Sequence, residues 1–406
     1  MVLLFLIAVG VFLGVGCGWY LGETMMSVAW LGALFLDALK MMIIPLIFSA
    51  VISGIASLGD VRKLGRLGGY TLAYYLTTTA LAVLLGLVMV NLIQPGLGLE
   101  LTDAYRPEGV TSLTETGPTD LLLRLVSPNL VAAAADTNLL PLMLFAILFS
   151  AALTTQGERG AHVLAFFDGM NEAMMKLVVW LMYFAPVGIF ALVASRLGQA
   201  GGGEAFVAQI QAVGLYVVTV LSGLGLHFLL LLLILLFLGG HGLSFLVTML
   251  RALLTAFGTA SSSATLPVTL EGLRENRVDE RVIRFVAPLG STVNMDGTAL
   301  YEAVAAMFIA QAYGLDMSIG QQAVIFVTAN MAAIGAAGIP EAGLVTMVIV
   351  LQAVGLPLEG IGLLLSVDWF LDRFRTSVNV WGDSVGTAVI ERFLGQSRSA
   401  YTATSA

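Results

Sequence analysis

Long apolar runs alternate with short polar stretches along this chain. Each run is long enough for a membrane-spanning helix, which needs about 20 apolar residues to cross the hydrocarbon layer. Six such runs lie near 1–21, 25–58, 67–95, 120–156, 164–197 and 206–239. The longest connection, roughly 96–119, carries five charged residues and predicts an aqueous loop. The pattern therefore predicts six ordinary spanning helices before residue 240.

Two apolar segments after residue 240 are interrupted at their centres. The segment 244–273 contains a serine triplet at 261–263, and the segment 320–355 contains glycines and a proline between 335 and 343. A continuous span rarely tolerates such breaks, because freed backbone groups find no water in hydrocarbon. Two short helical arms that meet inside the protein can provide partners for these backbone groups. The pair therefore predicts re-entrant helical hairpins of an inverted repeat, with a binding site at their tips.

The positions of arginine and lysine favour this topology. Basic clusters lie at 62–66, 274–284 and 392–398. If both hairpins turn back, all three clusters and both termini lie on one side of the membrane. If both hairpins spanned it, the 274–284 cluster would lie on the opposite side, against the positive-inside rule. Two further helices are predicted at 281–313 and 358–395. Together with the six earlier runs, the pattern predicts eight spanning helices and two hairpins.

Composition excludes most other classes of protein. Of 406 residues, 58% are hydrophobic and 11% are charged, whereas soluble domains carry about 25% charged residues. The net charge of −8 offers no basic footprint for nucleic acid. One cysteine excludes an intrachain disulfide, and three scattered histidines argue against a zinc site. We interpret the chain as an all-α polytopic protein of the lipid bilayer.

The last helix, 358–395, carries a polar stripe. Its members recur at spacings of four and three, which places them on one helical face; they are Asp368, Asp372, Arg375, Asn379 and Asp383. Each charge at the centre of a bilayer costs about 2.5–3.5 kcal/mol on insertion scales. Such residues are usually functional; the alternative is a set of internal salt bridges that holds the bundle together.

The helix at 281–313 contains Asn294-Met295-Asp296-Gly297-Thr298, followed by Glu302. Gly297 predicts local unwinding, which would free carbonyl groups beside Asn294 and Asp296. Hard cations prefer such oxygen ligands, so this stretch is a candidate cation site. The alternative is a helix kink with buried polar side chains.

The segment 382–386 matches the G-x-S-x-G pattern of serine hydrolases. That motif requires a turn between a strand and a helix and a histidine partner. Here it lies within a spanning helix, and no histidine is near it in sequence. An intramembrane enzyme is therefore a poor interpretation.

Four motifs together resemble one transporter family. They are the SSSATLP stretch at 261–267, NMDGT at 294–298, AGIP at 337–340 and DRFRT at 372–376 followed by Asn379. The chain resembles the dicarboxylate/amino acid:cation symporter family, which includes sodium-coupled glutamate and aspartate transporters. Its second half is most similar to the excitatory amino acid transporter type. The resemblance implies an elevator-type glutamate transporter fold and a homotrimer.

The resemblance also implies a domain organisation. Residues 1–240 would form transmembrane helices 1–6, with scaffold and trimerisation parts plus helices 3 and 6 of the transport domain. Residues 241–396 would form the transport core of hairpin 1, helix 7, hairpin 2 and helix 8, followed by a cytoplasmic tail at 397–406. The lack of long terminal tails favours a plasma membrane of bacterial type, the inner membrane.

The resemblance implies a role for each site residue. Arg375 would bind the side-chain carboxylate of an acidic amino acid, and Asp372 its ammonium group. The rest of the substrate shell would be Ser262, Thr298, Ile339, Gly343, Thr376 and Asn379. One sodium ion would take Gly290, Asn294, Asn379 and Asp383, and a second would take Tyr75, Thr78, Thr79, Asn294 and Asp296. A third would use main-chain carbonyls of Thr292, Ala333, Ile334 and Ala336.

Proton and potassium are further candidate ions. Glu302 stands where the animal branch has a proposed proton carrier, and Arg373, in the last helix, is the second arginine of that branch; we assign both to proton coupling. A structural pairing of Glu302 with Arg373 is the alternative. Potassium counter-transport is a trait of the animal branch.

Other functions are available to the same fold. A neutral amino acid exchanger has no arginine at the Arg375 position, and a C4-dicarboxylate symporter lacks the Asp372 carboxylate. An anion-conducting channel is the alternative from a different class. Having both residues favours an acidic amino acid.

Overall fold

The computed structural model describes residues 2–56, 65–99, 123, 125–136, 139–199, 203–336 and 342–404. The helices of the first half are α1 (Val2–Leu21), α2 (Ala29–Ala56), α3 (Gly65–Ile93), α4 (Leu130–Ala135), α5 (Leu139–Thr154), α6 (Glu158–Met182), α7 (Ala185–Gln199) and α8 (Gly203–Ile234). Those of the second half are α9 (Leu243–Thr259), α10 (Ser262–Glu275), α11 (Glu280–Val293), α12 (Asp296–Ala312), α13 (Ile319–Ile334), α14 (Ala342–Ala353) and α15 (Ile361–Thr404). The described part is all-helical.

Three described stretches are long and apolar enough to cross a membrane: Phe5–Ala56, which includes most of α1 and all of α2, then Gly65–Ile93 and Val207–Gly239. A fourth candidate is the pair Glu158–Leu181 and Ala185–Ser195, which is bent by 56°. The predicted runs at 1–21, 67–95 and 206–239 thus correspond to long helices. The other described helices range from short ones such as α4, α5 and α14 to the 44-residue α15.

Two predicted spans are divided in the structure. The run 164–197 is not one straight helix, since α6 ends at Met182 and α7 begins at Ala185. Pro186 lies in the first turn of α7, where the missing N–H of proline costs no helical hydrogen bond. The run 120–156 contains the short α4 and then α5. Residues 100–122, including most of the predicted aqueous loop, lie outside the described residues.

The first predicted hairpin breaks at the serine triplet. Ala260 ends α9 with a φ of 50°, in the left-handed region. Ser261 then caps the N-terminus of α10, and its hydroxyl accepts a hydrogen bond from the Ala264 N–H at 3.1 Å. Beyond the C-terminal end of α10, Glu280 begins α11. Hydrogen bonds from Arg274 and Arg284 lower the pKa of its carboxyl group to about 2. The two arms pack against each other and against α15.

The second predicted hairpin consists of α13 and α14. Ser318 and Gln321 form a capping box at the start of α13, which satisfies N–H groups that the first helical turn leaves open. The two helices pack against each other and against α12. Their connection, 337–341, lies outside the described residues.

The helices form two packing groups. Helices α5, α6 and α7 each pack on α2, and α1 packs on α7. Helices α3 and α8–α15 form the second group, with α12 at its centre against α3, α8, α13, α14 and α15. Residues 296–310 of α12 are all buried. The central helix thus presents Asp296, Thr298 and Glu302 to neighbouring helices rather than to lipid.

Candidate functional site

Arg375 lies at the centre of the first polar cluster and is fully buried. Its Nη2 donates to Asp372 Oδ1 at 2.9 Å, and its Nη1 lies 3.0 Å from Asp368 Oδ1. The guanidinium also stacks on the Tyr301 ring, 3.9 Å from the ring centroid. A buried charge needs such partners, because removal from water is costly. Two carboxylates and one aromatic face thus surround one cation.

The guanidinium keeps donors that no described residue accepts. Neither Nε nor Nη1 has a hydrogen-bond acceptor among the described residues, because the contact with Asp368 is an ion pair without hydrogen-bond alignment. A buried donor without an acceptor costs free energy. Charge-assisted hydrogen bonds from a guanidinium to a carboxylate are among the strong ones in proteins. The cluster is therefore chemically suited to bind a carboxylate anion.

Gly343 at the start of α14 lies directly against this guanidinium. A Cβ atom there would lie 2.5 Å from Nη1 of Arg375. The absence of a side chain therefore lets the second hairpin approach the cation. Ile339 lies outside the described residues.

The remaining predicted substrate residues lie on three helices. Asn379 Oδ1 accepts the Gly297 N–H at 2.7 Å, and its Nδ2 donates to Thr298 Oγ1 at 3.2 Å. This pair joins α15 to the first turn of α12. Thr376 follows Arg375 on α15, Ser262 opens α10, and both side chains are buried. The structure thus brings Thr298 and Asn379 into contact beside the arginine cluster.

A second polar cluster lies two turns further along α15. Asn294 Nδ2 donates to Asp383 Oδ1 at 3.0 Å. Thr79 of α3 donates to Asp296 Oδ1 at 2.7 Å, and Thr78 lies 3.4 Å from oxygens of both Asn294 and Asp296. All of these side chains are buried. The cluster gathers carboxylate, amide and hydroxyl oxygens, the ligand types that hard cations prefer.

The helix break that builds this cluster lies before Gly297. Helix α11 ends at Val293 and α12 begins at Asp296, and Asn294 and Met295 have non-helical backbone angles. The sequence predicts unwinding at Gly297 itself, but this glycine is helical. A Cβ atom at Gly297 would lie 2.6 Å from the carbonyl oxygen of Arg375. Its role is therefore the close approach of α12 to α15.

Glycines also line the second cluster. A Cβ atom at Gly290 would collide with Oδ1 of Asp383 and lie 2.6 Å from the Tyr75 hydroxyl. A Cβ atom at Gly382 would lie 3.0 Å from side-chain atoms of Asn294 and Asp296. Side chains at these positions would fill the space between the oxygen atoms. The cluster thus has a cradle of small residues around its polar groups.

The other predicted sodium ligands are more dispersed. Tyr75 donates its hydroxyl to the Val286 carbonyl at 2.7 Å. The Thr292 hydroxyl donates to Leu289 O within its own helix. Ala333 and Ala336 are buried and Ile334 is half-buried, all at the C-terminal end of α13. The Ala333 carbonyl accepts the Ala336 N–H at 3.3 Å, so it is engaged within this helix end.

Glu302 and Arg373 lie apart in the structure. Glu302 is fully buried on α12, and neither of its oxygens accepts a hydrogen bond from a described residue. Arg373 instead donates to the carbonyls of Phe257 and Gly258 at the end of α9. The alternative pairing of Glu302 with Arg373 is therefore wrong.

Sequence reasoning missed one member of the second cluster. His227 of α8 is fully buried, and its Nε2 lies 3.0 Å from Asp296 Oδ2. The signal available in the sequence was a single histidine inside the apolar run of α8. Only the packing of α8 against α12 shows which carboxylate it meets.

Substitution of Gly343 by alanine should weaken binding of a carboxylate ligand by about ten-fold, since displacing the guanidinium weakens a charge-assisted pair. The added Cβ would push Nη1 of Arg375 out of place. The measurement is ligand affinity by isothermal titration calorimetry. Gly225→Ala is the matched control, because no atom lies within 4 Å of a Cβ there. Equal affinities in the two variants would contradict the close contact.

The chain is similar to known proteins over most of its length. The family model of the sodium:dicarboxylate symporter family matches residues 3–393. The chain is 41% identical to excitatory amino acid transporter 3 of Mus musculus, with 89% of this chain and 78% of the relative covered. It is 39% identical to excitatory amino acid transporter 1 of Ambystoma tigrinum (89% and 76% covered) and 38% identical to an excitatory amino acid transporter of Caenorhabditis elegans (96% and 87% covered). The chain belongs to the sodium:dicarboxylate symporter family.

Proposed function

We propose that this protein is a secondary active symporter that takes up acidic amino acids, L-glutamate or L-aspartate, together with sodium. The observation that carries the proposal is the buried Arg375, whose Nε and Nη1 have no hydrogen-bond acceptor among the described residues. A carboxylate of the substrate side chain would supply an acceptor that this guanidinium lacks. Its relatives are named excitatory amino acid transporters, which supports this substrate class.

The pairing of Arg375 with Asp372 favours an amino acid over other anions. Asp372 accepts from Arg375 in this structure and can exchange that contact for a substrate ammonium group. A C4-dicarboxylate has no ammonium group to pair with Asp372. A neutral amino acid has no distal carboxylate for Arg375. An acidic amino acid is the ligand that uses both charges.

Sodium is proposed to bind at the second cluster. Asn294, Asp296 and Asp383 bring amide and carboxylate oxygens together, with Thr78 and Thr79 beside them. Binding of a cation beside two buried carboxylates offsets their charge. Because α15 carries both Arg375 and Asp383, the ion and the substrate order the same helix. That shared element is the physical basis of coupled transport.

The proposed architecture is the elevator-type fold, with eight spanning helices, two re-entrant hairpins and inverted repeats, assembled as a homotrimer. The packing of α3 and α8 with α9–α15 supports a transport unit built from residues 241–396 and two earlier helices. The group of α1, α2 and α5–α7 would be the scaffold and the trimer contact. We place the protein in the plasma membrane, of bacterial inner-membrane type, with 397–406 as a cytoplasmic tail.

Glu302 is the proposed proton carrier. It is fully buried and without a hydrogen bond from described residues, and a neutral carboxyl is the form that such a place favours. The acid would take up a proton with the substrate outside and release it inside. The empty carrier would then return with a different charge, and potassium is the candidate ion for that step.

Glu302→Gln is expected to slow net uptake several-fold and to remove its pH dependence, while exchange of bound substrate continues. In the unmodified protein net uptake should fall as the outside pH rises, because fewer carboxyls carry a proton. Glutamine imitates the protonated acid permanently, so the carrier cannot discharge. The measurement compares exchange with net uptake in proteoliposomes at several pH values.

The matched control is Glu359→Gln, the same carboxyl-to-amide change at an exposed site before α15. It should keep the pH profile of the unmodified protein in both modes. If Glu302→Gln also keeps that profile, Glu302 is a structural carboxylate and sodium alone drives uptake.

The function is tested by radiolabelled uptake into proteoliposomes with sodium, proton and potassium gradients imposed one at a time. Uphill accumulation of glutamate or aspartate that requires an inward sodium gradient is the expected result. Steady current without uphill uptake would instead support an anion channel. Accumulation of a neutral amino acid or of a C4-dicarboxylate alone would overturn the choice of substrate.

A further inference from the structure

His227 is the one imidazole of the described residues that lies inside the two clusters. Its Nε2 is 3.0 Å from Asp296 Oδ2, and both side chains are fully buried. Its Nδ1 has no hydrogen-bond partner among the described residues. A carboxylate only accepts hydrogen bonds, so the single N–H of a neutral imidazole is on Nε2 and is donated to Asp296.

The two oxygens of Asp296 are thereby divided between two helices. Oδ1 accepts from Thr79 of α3 at 2.7 Å and faces Thr78. Oδ2 faces His227 of α8. The imidazole thus contacts the carboxylate oxygen that points away from the threonine hydroxyl groups. This contact sets the rotation of the Asp296 carboxylate about its bond to Cβ.

A second contact fixes the imidazole along the axis of α8. The Trp381 Nε1–H of α15 donates to the carbonyl of Phe228, the residue after His227, at 3.2 Å. The rings of Phe228 and Trp381 stack with centroids 5.2 Å apart. Because α8 is locked to α15 at this level, His227 cannot slide away from Asp296 without breaking both contacts.

We infer that His227 is a positioning residue for the second cluster: it holds the Asp296 carboxylate so that Oδ1 faces Thr78 and Thr79, and thereby sets the affinity of the substrate-free protein for sodium. This inference rests on the proposed function, since it takes sodium as the cation. His227 itself is not a ligand, because its N–H points at the carboxylate.

The test compares His227→Met with His227→Gln. The two side chains have similar length and flexibility, but only glutamine carries an N–H donor that can replace Nε2–H. The methionine variant should need about ten-fold more sodium for half-maximal binding, since a hydrogen bond to a charged group is lost. The glutamine variant should stay within about three-fold of the unmodified protein, because the donor is retained.

The readout is sodium protection of the purified full chain, without substrate, against thermal unfolding. The rise of the melting temperature with sodium concentration follows the stabilisation RT ln(1 + [Na+]/Kd), and its fit gives the cation affinity. Thr219→Val is the matched control: Thr219 is also buried on α8, but its hydroxyl donates to Leu215 O within the helix. This variant should keep the sodium dependence of the unmodified protein.

Each outcome decides a different statement. If sodium protects the unmodified protein and both His227 variants equally, His227 does not position Asp296. If glutamine raises the sodium requirement as much as methionine, the N–H donor is not what matters, and the inference also fails. If the methionine variant does not fold, a ten-fold rise in the sodium requirement of the glutamine variant also overturns the inference. If sodium protects none of the proteins, the proposed sodium site is at fault instead.

Discussion

Replacing Arg375 by cysteine is expected to abolish uptake of L-glutamate and L-aspartate while some uptake of a neutral amino acid continues. Without the guanidinium, a distal carboxylate would enter beside Asp368 and Asp372 with no cation, which is costly in a buried site. The loss of one charge-assisted pair alone costs about 1.5–3 kcal/mol, or about ten- to a hundred-fold in affinity. A neutral substrate avoids this cost, because its ammonium group still pairs with Asp372. Radiolabelled uptake of glutamate, aspartate and serine measures the change.

Arg373→Cys is the matched comparison, since it removes an arginine two residues earlier on the same helix. Arg373 donates to carbonyls of Phe257 and Gly258 at the end of α9 and lies outside the arginine cluster. Whatever its effect on rate, this variant should keep the preference for acidic over neutral substrates. Unchanged affinity of Arg375→Cys for glutamate and aspartate would remove Arg375 from the substrate site.

Asp383→Asn should raise the sodium concentration for half-maximal transport by about ten-fold or more, because the proposed carboxylate ligand of the cation becomes neutral. Asp383 is buried and accepts a hydrogen bond from Asn294. Since sodium and substrate share one coupling free energy, substrate binding at fixed sodium should weaken as well. Saturating sodium should restore it in part. The measurement is substrate affinity as a function of sodium concentration.

Ser384→Ala provides the control at the neighbouring position. Ser384 is equally buried, but its hydroxyl donates to the Val380 carbonyl within α15. Removal of this hydroxyl should leave the sodium dependence of transport unchanged. If Asp383→Asn showed the same unaltered dependence, its carboxylate would not be a sodium ligand.

Backbone breaks with a strong local cause were predictable from sequence. The serine triplet at 261–263 combines poor helix formers with a good N-cap, and the chain breaks there, at Ala260 and Ser261. The break near the NMDGT motif was also predicted, but not its position. The conformational freedom of Gly297 suggested that the helix unwinds there. In the structure its lack of a side chain instead lets the backbone of Arg375 approach closely. A glycine in a sequence does not reveal which of these two properties is used.

The division of the run 164–197 was not predicted, for a related reason. Its apolar composition continues through the bend between α6 and α7, and hydropathy does not register a change of direction. Pro186 was the local signal, but a proline in the first turn of a helix and a proline within a helix look alike until the helix start is known.

Faces of single helices were predictable, but contacts between helices were not. Periodicity placed Asp368, Asp372 and Arg375 on one stripe of α15, and these three are paired in the structure. The partner of His227 lies 69 residues away on another helix, and Arg373 contacts the end of α9 rather than Glu302. A helical period of 3.6 residues says which side chains share a face, but not which helix that face meets.

The unbroken course of α15 fixes the spacing of the two clusters. Arg375 and Asp383 are eight residues apart on one helix, which corresponds to about 12 Å along its axis. At an effective dielectric constant of about 20, opposite unit charges at that distance attract by about 1.4 kcal/mol, or about ten-fold in affinity. If the ion and the substrate carboxylate lie about this far apart, cooperativity between them that exceeds this factor comes from rearrangement of the protein and not from the electric field of the ion.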